Sequence, residues 1–273
     1  VIHVDASGGI VPDPLWHEFG ETLIRIYLAG EIQVESGDRL IRETDLPARQ
    51  GRLAFARLAD HRDHPLPREE LAETLWPGAL PKAWAVSLSA IISKLRVSLG
   101  EVGLDRDGVI ATAFGCYQLR LPTDTWIDLE AAKSALHHAE GEVAAGRAAG
   151  AYGDALVALM VLRRPFLPGA DSPWAEARRE TLRAELVRAL ECMIPCLEAF
   201  GEFALAVRNA EELVGLEPFR ESGYRHLMRL HAARGDRAEA LRVYEIIRAR
   251  LIDELGVGPS AETEALQVAL LKG

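Results

Sequence analysis

The chain has 273 residues, 49% of them hydrophobic and 26% charged, a globular composition long enough for two domains. Its longest apolar run, Ala155 to Leu162, is far short of the roughly 20 residues a membrane-spanning helix needs, and the start lacks the basic and apolar segments of a secretory signal. A cytoplasmic location with no membrane partner is expected.

Net charge is −10, awkward for a nucleic-acid binder, because neutralising phosphates requires clustered Lys and Arg. The charge is uneven, however. Residues 1–21 carry four acidic residues and no Lys or Arg, residues 22–122 hold 13 basic against 13 acidic, and residues 123–273 hold 18 against 24. A neutral segment permits DNA binding without arguing for it. Three cysteines argue against a disulfide scaffold and fit a reducing compartment. Cys192 and Cys196 lie one helical turn apart without further ligands, so buried thiols are expected rather than a metal site. His61 and His64, in HRDH, read as a polar surface loop before Pro65. No metal and no cofactor are expected.

In chain order, residues 1–21 read as an N-terminal extension or linker. Residues 22–42 alternate as strands do, with Ile24, Ile26 and Leu28 on one face and Ser36-Gly37-Asp38 as a turn. The period then becomes helical: one short helix through Leu53, Ala54 and Leu58, and a second from about Pro67 to Trp76, ended by Pro77-Gly78. A third helix, from about Lys82 to Leu99, commits Leu88, Ile91, Ile92, Leu95 and Leu99 to a core, with Gly100 as its expected stop. Two strands around Phe114-Gly115 follow, in which Tyr117, Leu119 and Leu121 alternate with Gln118 and Arg120. Sheet, three helices and hairpin is the order of a winged helix-turn-helix, whose third helix enters the major groove. This domain is expected over residues 22–122.

From Pro122 onward no strand pattern returns, and residues 123–273 are expected to be all helix. GEFALAVR at Gly201 and GDRAEALR at Gly235 repeat after 34 residues, the tetratricopeptide period, with Ala206 and Ala240 at the close helix crossings. A weaker copy, GAYGDAL, starts at Gly150. Ser172-Pro173 opens an extra long helix outside the period, and Pro195 is expected to kink its far end. Trp126 and Leu129 are expected to pack where the halves meet. The fold class is therefore mainly α, a winged helix with small antiparallel sheets followed by an all-α tetratricopeptide-like repeat domain.

RAEALRVYEIIRARLIDELGVGPSAETEAL from Arg237 to Leu266, SKLRVSLG from Ser93, PREELAETLWP from Pro67 and GCYQLRL from Gly115 form the most specific segments of the chain. On them, over residues 22–273, the chain resembles the Streptomyces antibiotic regulatory protein family, in which a winged helix of response-regulator type precedes a bacterial transcriptional activator domain. The resemblance implies a DNA-binding transcription activator, not an enzyme, with promoter DNA and RNA polymerase holoenzyme as partners, and it leaves a homodimer open. No phosphate-binding loop, HExxH or nucleophile elbow is present.

On that basis the expected DNA-binding residues are Lys82, Trp84, Ser87, Ser89, Lys94, Arg96, Gln118 and Arg120. Ser89, Lys94 and Arg96 are expected to point outward from the third helix. The sequence departs from the family where Ala85 and Val86 replace the usual polar start of that helix and Cys116 stands for a glycine before Tyr117. A protein-binding adaptor whose winged helix has lost DNA is the alternative, favoured by Ala85, Val86, Ile91 and Val97, whereas Lys94 and Arg96 favour DNA.

Overall fold

The computed structural model describes residues 23–272 and, before them, only the backbone of a two-stranded pairing, β1 (His3–Val4) with β2 (Ile10–Val11). The linker expected over residues 1–21 otherwise lies outside the described residues. The chain divides into two compact units, Val1–Ile127 and Asp128–Gly273.

In the first unit, β3 (Ile24–Tyr27), β4 (Gln33–Ser36) and β5 (Arg39–Arg42) form an antiparallel meander. The alternation of the sequence is the alternation of burial, with Ile24, Ile26, Val34 and Ile41 inside. A fourth strand, β9 (Trp126–Ile127), joins β3 in parallel. A strand thus returns after Pro122, contrary to the sequence expectation. It is two residues long, too short to carry a period, and it holds residues 123–127 to the first unit. Trp126 stacks edge-on against Tyr27, 5.4 Å between centroids, so its packing is satisfied within that unit.

Three helices follow: α1 (Ala48–Asp60), α2 (Arg68–Leu75) and α3 (Trp84–Glu101). Phe55, Leu58, Leu71, Leu88, Ile92, Leu95 and Leu99 bury together as the helical spacing requires. Gly100 does not stop α3. The helix runs through it to Glu101, and the chain turns at Gly103, whose φ of +86° is a left-handed conformation that glycine adopts without strain. The hairpin is β7 (Ile110–Ala113) and β8 (Cys116–Leu119), closed by a two-residue turn in which Phe114 and Gly115 both have positive φ. Pro67, expected to open the second helix, instead forms β6 with Leu66 on the other edge of β8, and α2 begins one residue later at Arg68.

The second unit holds α4 (Asp128–Ala144), α5 (Tyr152–Leu162), α6 (Pro173–Ala199), α7 (Phe203–Leu216), α8 (Glu221–Ala233), α9 (Arg237–Leu255) and α10 (Ala261–Lys272). Successive helices pack on one another, and Ala206 and Ala240 are both wholly buried, so the two repeat copies fall at equivalent crossings. Ser172 precedes α6 as expected, yet its hydroxyl caps nothing and is buried without a partner. The proline at the first turn, which needs no donor there, marks that start instead. The helix continues through Pro195.

Two outcomes follow from this unit. Replacing Ala206 or Ala240 by Leu should destabilise the chain by about 1–3 kcal/mol in chemical denaturation, because both alanines are wholly buried and added methylenes overpack a dense core. His226 on α8 is held down to about 4 by burial, with the Arg229 and Arg225 cations adding to that and Glu191 opposing it. Its Nδ1 lies 3.1 Å from Arg229 Nη2, the contact a neutral imidazole accepts. Above pH 6.5 the ring is neutral in both folded and unfolded chains. As pH falls from 6.5 toward 4 only the unfolded chain takes up the proton, so stability on the order of 3 kcal/mol is lost across that window. His226→Gln should remove this component from a stability-versus-pH series.

Candidate nucleic-acid interface

Helix α3 presents its sides differently, because its core stripe fixes the direction of every other residue. Leu88, Ile92, Leu95 and Leu99 point inward. The opposite stripe, at spacings of four, three and four, is Val86, Ala90, Ser93 and Val97, all exposed. Val86 is 73% exposed. The surface best placed to meet a groove is therefore small and largely apolar, and Ser93, not among the expected site residues, belongs to it.

Arg96 is not free. It is half-buried on the flank of α3, where Nε and Nη2 donate to the Ile110 carbonyl at 3.1 and 2.5 Å, and Nη2 also to Thr112 Oγ1 at 2.9 Å. The expectation of an outward-pointing Arg96 is thus corrected: the planar guanidinium bonds the first strand of the hairpin to α3. Ser89 lies on the same flank, where its hydroxyl donates to the Ala85 carbonyl at 2.9 Å and accepts from Arg68 Nη2 at 3.2 Å.

Arg68, which the sequence showed only as the start of a helix, completes the junction. Its backbone N–H donates to the Gly115 carbonyl at 3.0 Å, and its guanidinium lies 5.6 Å from the Tyr117 ring centroid and reaches the first turn of α3. One arginine therefore touches α2, α3 and the hairpin. No local pattern announces it, since its partners are 17 to 49 residues away in sequence.

The remaining expected residues divide. Lys94 is exposed beside Pro47, Ala48 and Gln50 at the start of α1, and Lys82 is exposed just before α3; neither makes a hydrogen bond or ion pair among the described residues. Trp84 and Ser87 are half-buried in the first turn of α3. Gln118 donates through Nε2 to the Arg62 carbonyl at 3.1 Å, so this amide holds the loop after α1. Arg120 is exposed but lines an open groove with the β4–β5 turn and Gly103–Asp105 past the C-terminal end of α3. It is not brought together with Ser87 and Ser89. At the hairpin tip Phe114 is fully exposed.

Elsewhere, Cys192 and Cys196 are buried, and burial pushes their thiols up to about 12 and about 11, which makes them poor nucleophiles. His61 and His64 sit in the turn after α1 with ring centroids 5.7 Å apart. Among the described residues no group of three His, Cys, Asp or Glu side chains is arranged to hold a metal, and no helix is long and apolar enough to cross a membrane.

A family model, the bacterial transcriptional activator domain, matches residues 127–271. The transcriptional regulatory protein EmbR of Mycobacterium tuberculosis is 29% identical over 225 residues, 81% of this chain and 57% of that protein. The regulatory protein AfsR of Streptomyces coelicolor is 30% identical over 203 residues, 74% of this chain and 20% of that protein. A solved structure of Mycobacterium tuberculosis EmbR in complex with a low affinity phosphopeptide matches with a TM-score of 0.82 at 25% identity, covering 92% of this chain and 66% of that one. This chain thus spans little more than half the length of the EmbR relative. With the family model spanning more than half of it, the chain belongs to the bacterial transcriptional activator domain family, in the winged-helix and helical-repeat arrangement of the Streptomyces antibiotic regulatory proteins.

Proposed function

We propose that the chain regulates transcription by binding promoter DNA through α3 and the β7–β8 hairpin, while its helical unit contacts RNA polymerase holoenzyme as an activator. The observation that most favours DNA is Lys94, an unpartnered cation on α3 close to the start of α1, where it can meet phosphate as α3 lies in the major groove. Lys82 adds a second phosphate contact before the first turn. Ser87 and Ser93 offer hydroxyls to phosphates or base edges, Ser89 does so only by giving up its bond to the Ala85 carbonyl, and Val86, Ala90 and Val97 offer apolar contact to thymine methyls. The role is one of binding, not catalysis, in keeping with relatives named as regulators.

A second reading has one observation in its favour: Val86 and Val97 on the outer stripe of α3 and Phe114 at the hairpin tip are exposed apolar side chains. A protein-docking winged helix would use that surface directly.

Binding titrations at several salt concentrations, on a duplex returned by selection from random sequences, separate the two. Each neutralised phosphate contributes roughly 0.9 to the log–log salt slope, so Lys82→Ala with Lys94→Ala should flatten the slope by about two units. Failure of selection to enrich any duplex, or an unchanged slope in the double variant, favours the adaptor. Arg96→Ala should behave differently: losing its charge-assisted bonds to the hairpin should lower thermal stability by about 1–2 kcal/mol, with affinity falling because the bonds that tie β7 to the flank of α3 are lost.

A further inference from the structure

From α6 onward the helices of the second unit are joined by three to five residues, but α5 and α6 are joined by ten, residues 163–172. A longer connection inside a compact repeat asks for a reason. This one is built rigidly. Arg179 on α6 donates through Nε to the Phe166 carbonyl at 2.9 Å, and through Nη2 to the Leu167 and Ala170 carbonyls at 2.6 and 2.9 Å. Phe166 packs edge-on against Trp174, and Leu167 is buried in a left-handed conformation, φ +45°, that a branched side chain adopts only under constraint.

The loop closes one side of an open groove of about 400 Å³ between α6 and the end of α7. Its apolar lining includes Phe166, Leu182 and Leu216. Four arginines, Arg163, Arg164, Arg179 and Arg183, line it against one acid, Asp171, in a unit whose overall excess is acidic. Glu212 pairs with Arg163, and Glu217 lies 3.8 Å from Arg183. The bonds of Arg179 given above go to carbonyls rather than carboxylates. Arg164 makes no bond or ion pair among the described residues.

We infer that this groove docks an acidic peptide segment of a protein partner, with an apolar side chain seated on Leu182 and Leu216 and carboxylates at Arg164 and Arg179. An apolar floor under a basic rim matches an acidic, amphipathic segment. The groove is too open to enclose a small molecule, which would need most of its surface covered. The inference rests on reading the helical unit as the protein-binding half, and is independent of what α3 binds.

Selection of random dodecapeptides displayed on phage against the full chain tests it, followed by fluorescence titration of the enriched peptides. The expected pool is rich in Asp and Glu around one aromatic or aliphatic residue. It should bind Arg164→Glu, a change at an exposed side chain with no structural bond, about tenfold more weakly or worse, while that variant keeps the parent's denaturation midpoint. An enriched pool without acidic bias, no enrichment, or equal binding to Arg164→Glu would each overturn the proposal. The salt-slope titration on duplex DNA should be unchanged in Arg164→Glu, so loss of DNA binding in the parent and loss of peptide binding in the variant report separately.

Discussion

The usable geometry of the first unit depends on the bond between the Arg96 guanidinium and the first strand of the hairpin. Helix α3 and β7 are consecutive, and the hairpin is seated by β6 pairing and by burial of Ile110, Tyr117 and Leu119. Two donors on the Ile110 carbonyl and one on Thr112 fix its approach to the helix flank. Arg68 makes the corresponding attachment from α2, through Gly115 at the tip and Ser89 on the helix. A planar fork with several donors suits this role, since one side chain can fix both distance and orientation. The consequence is electrostatic. The cations best placed between helix and hairpin have hydrogen-bond donors already engaged inside the protein, whereas Lys94 and Lys82 are exposed and make no hydrogen bond or ion pair among the described residues.

Much of this fold was legible because burial imposes periods. The meander, the three helices, the hairpin around Phe114-Gly115 and the 34-residue repeat all follow from where apolar or small residues recur, and the core of α3 follows from Leu88, Ile92, Leu95 and Leu99. Elements too short to have a period were missed. β6 and β9 are two residues each, set by pairing with distant strands. The end of α3 was misplaced because two glycines lie three residues apart, and only backbone conformation distinguishes the helical Gly100 from the turning Gly103.

The candidate site was less legible than the fold. Helical phase showed that Lys94 lies off the core stripe, but it could not show that Arg96 faces a carbonyl 14 residues on or that Gln118 reaches Arg62 across 56 residues. Charged and amide side chains are long enough to serve tertiary partners or solvent from the same position, and sequence spacing does not choose between them. Arg120 illustrates the same limit. Alternation placed it on the outer face of the hairpin, while the sheet carries it beyond the far end of α3.

In the proposed role, a unit that carries 13 basic against 18 acidic residues, with Lys94 on α3 and Lys82 just before it, would have a weak salt-dependent attraction for DNA, because that attraction grows with the number of phosphates neutralised. Apolar contacts from Val86, Ala90 and Val97 in that role would add discrimination at thymine methyls but little long-range pull. Occupancy of a promoter by such a unit would have to come from a second contact in the same assembly. Linking two weak sites makes the second encounter intramolecular, so avidity rises without any new contact at the first. The proposed contact of the helical unit with a protein partner at the same promoter would supply that second contact. On this view the poor charge of the α3 face is compatible with regulation, because DNA binding that is weak alone becomes dependent on the partner being present.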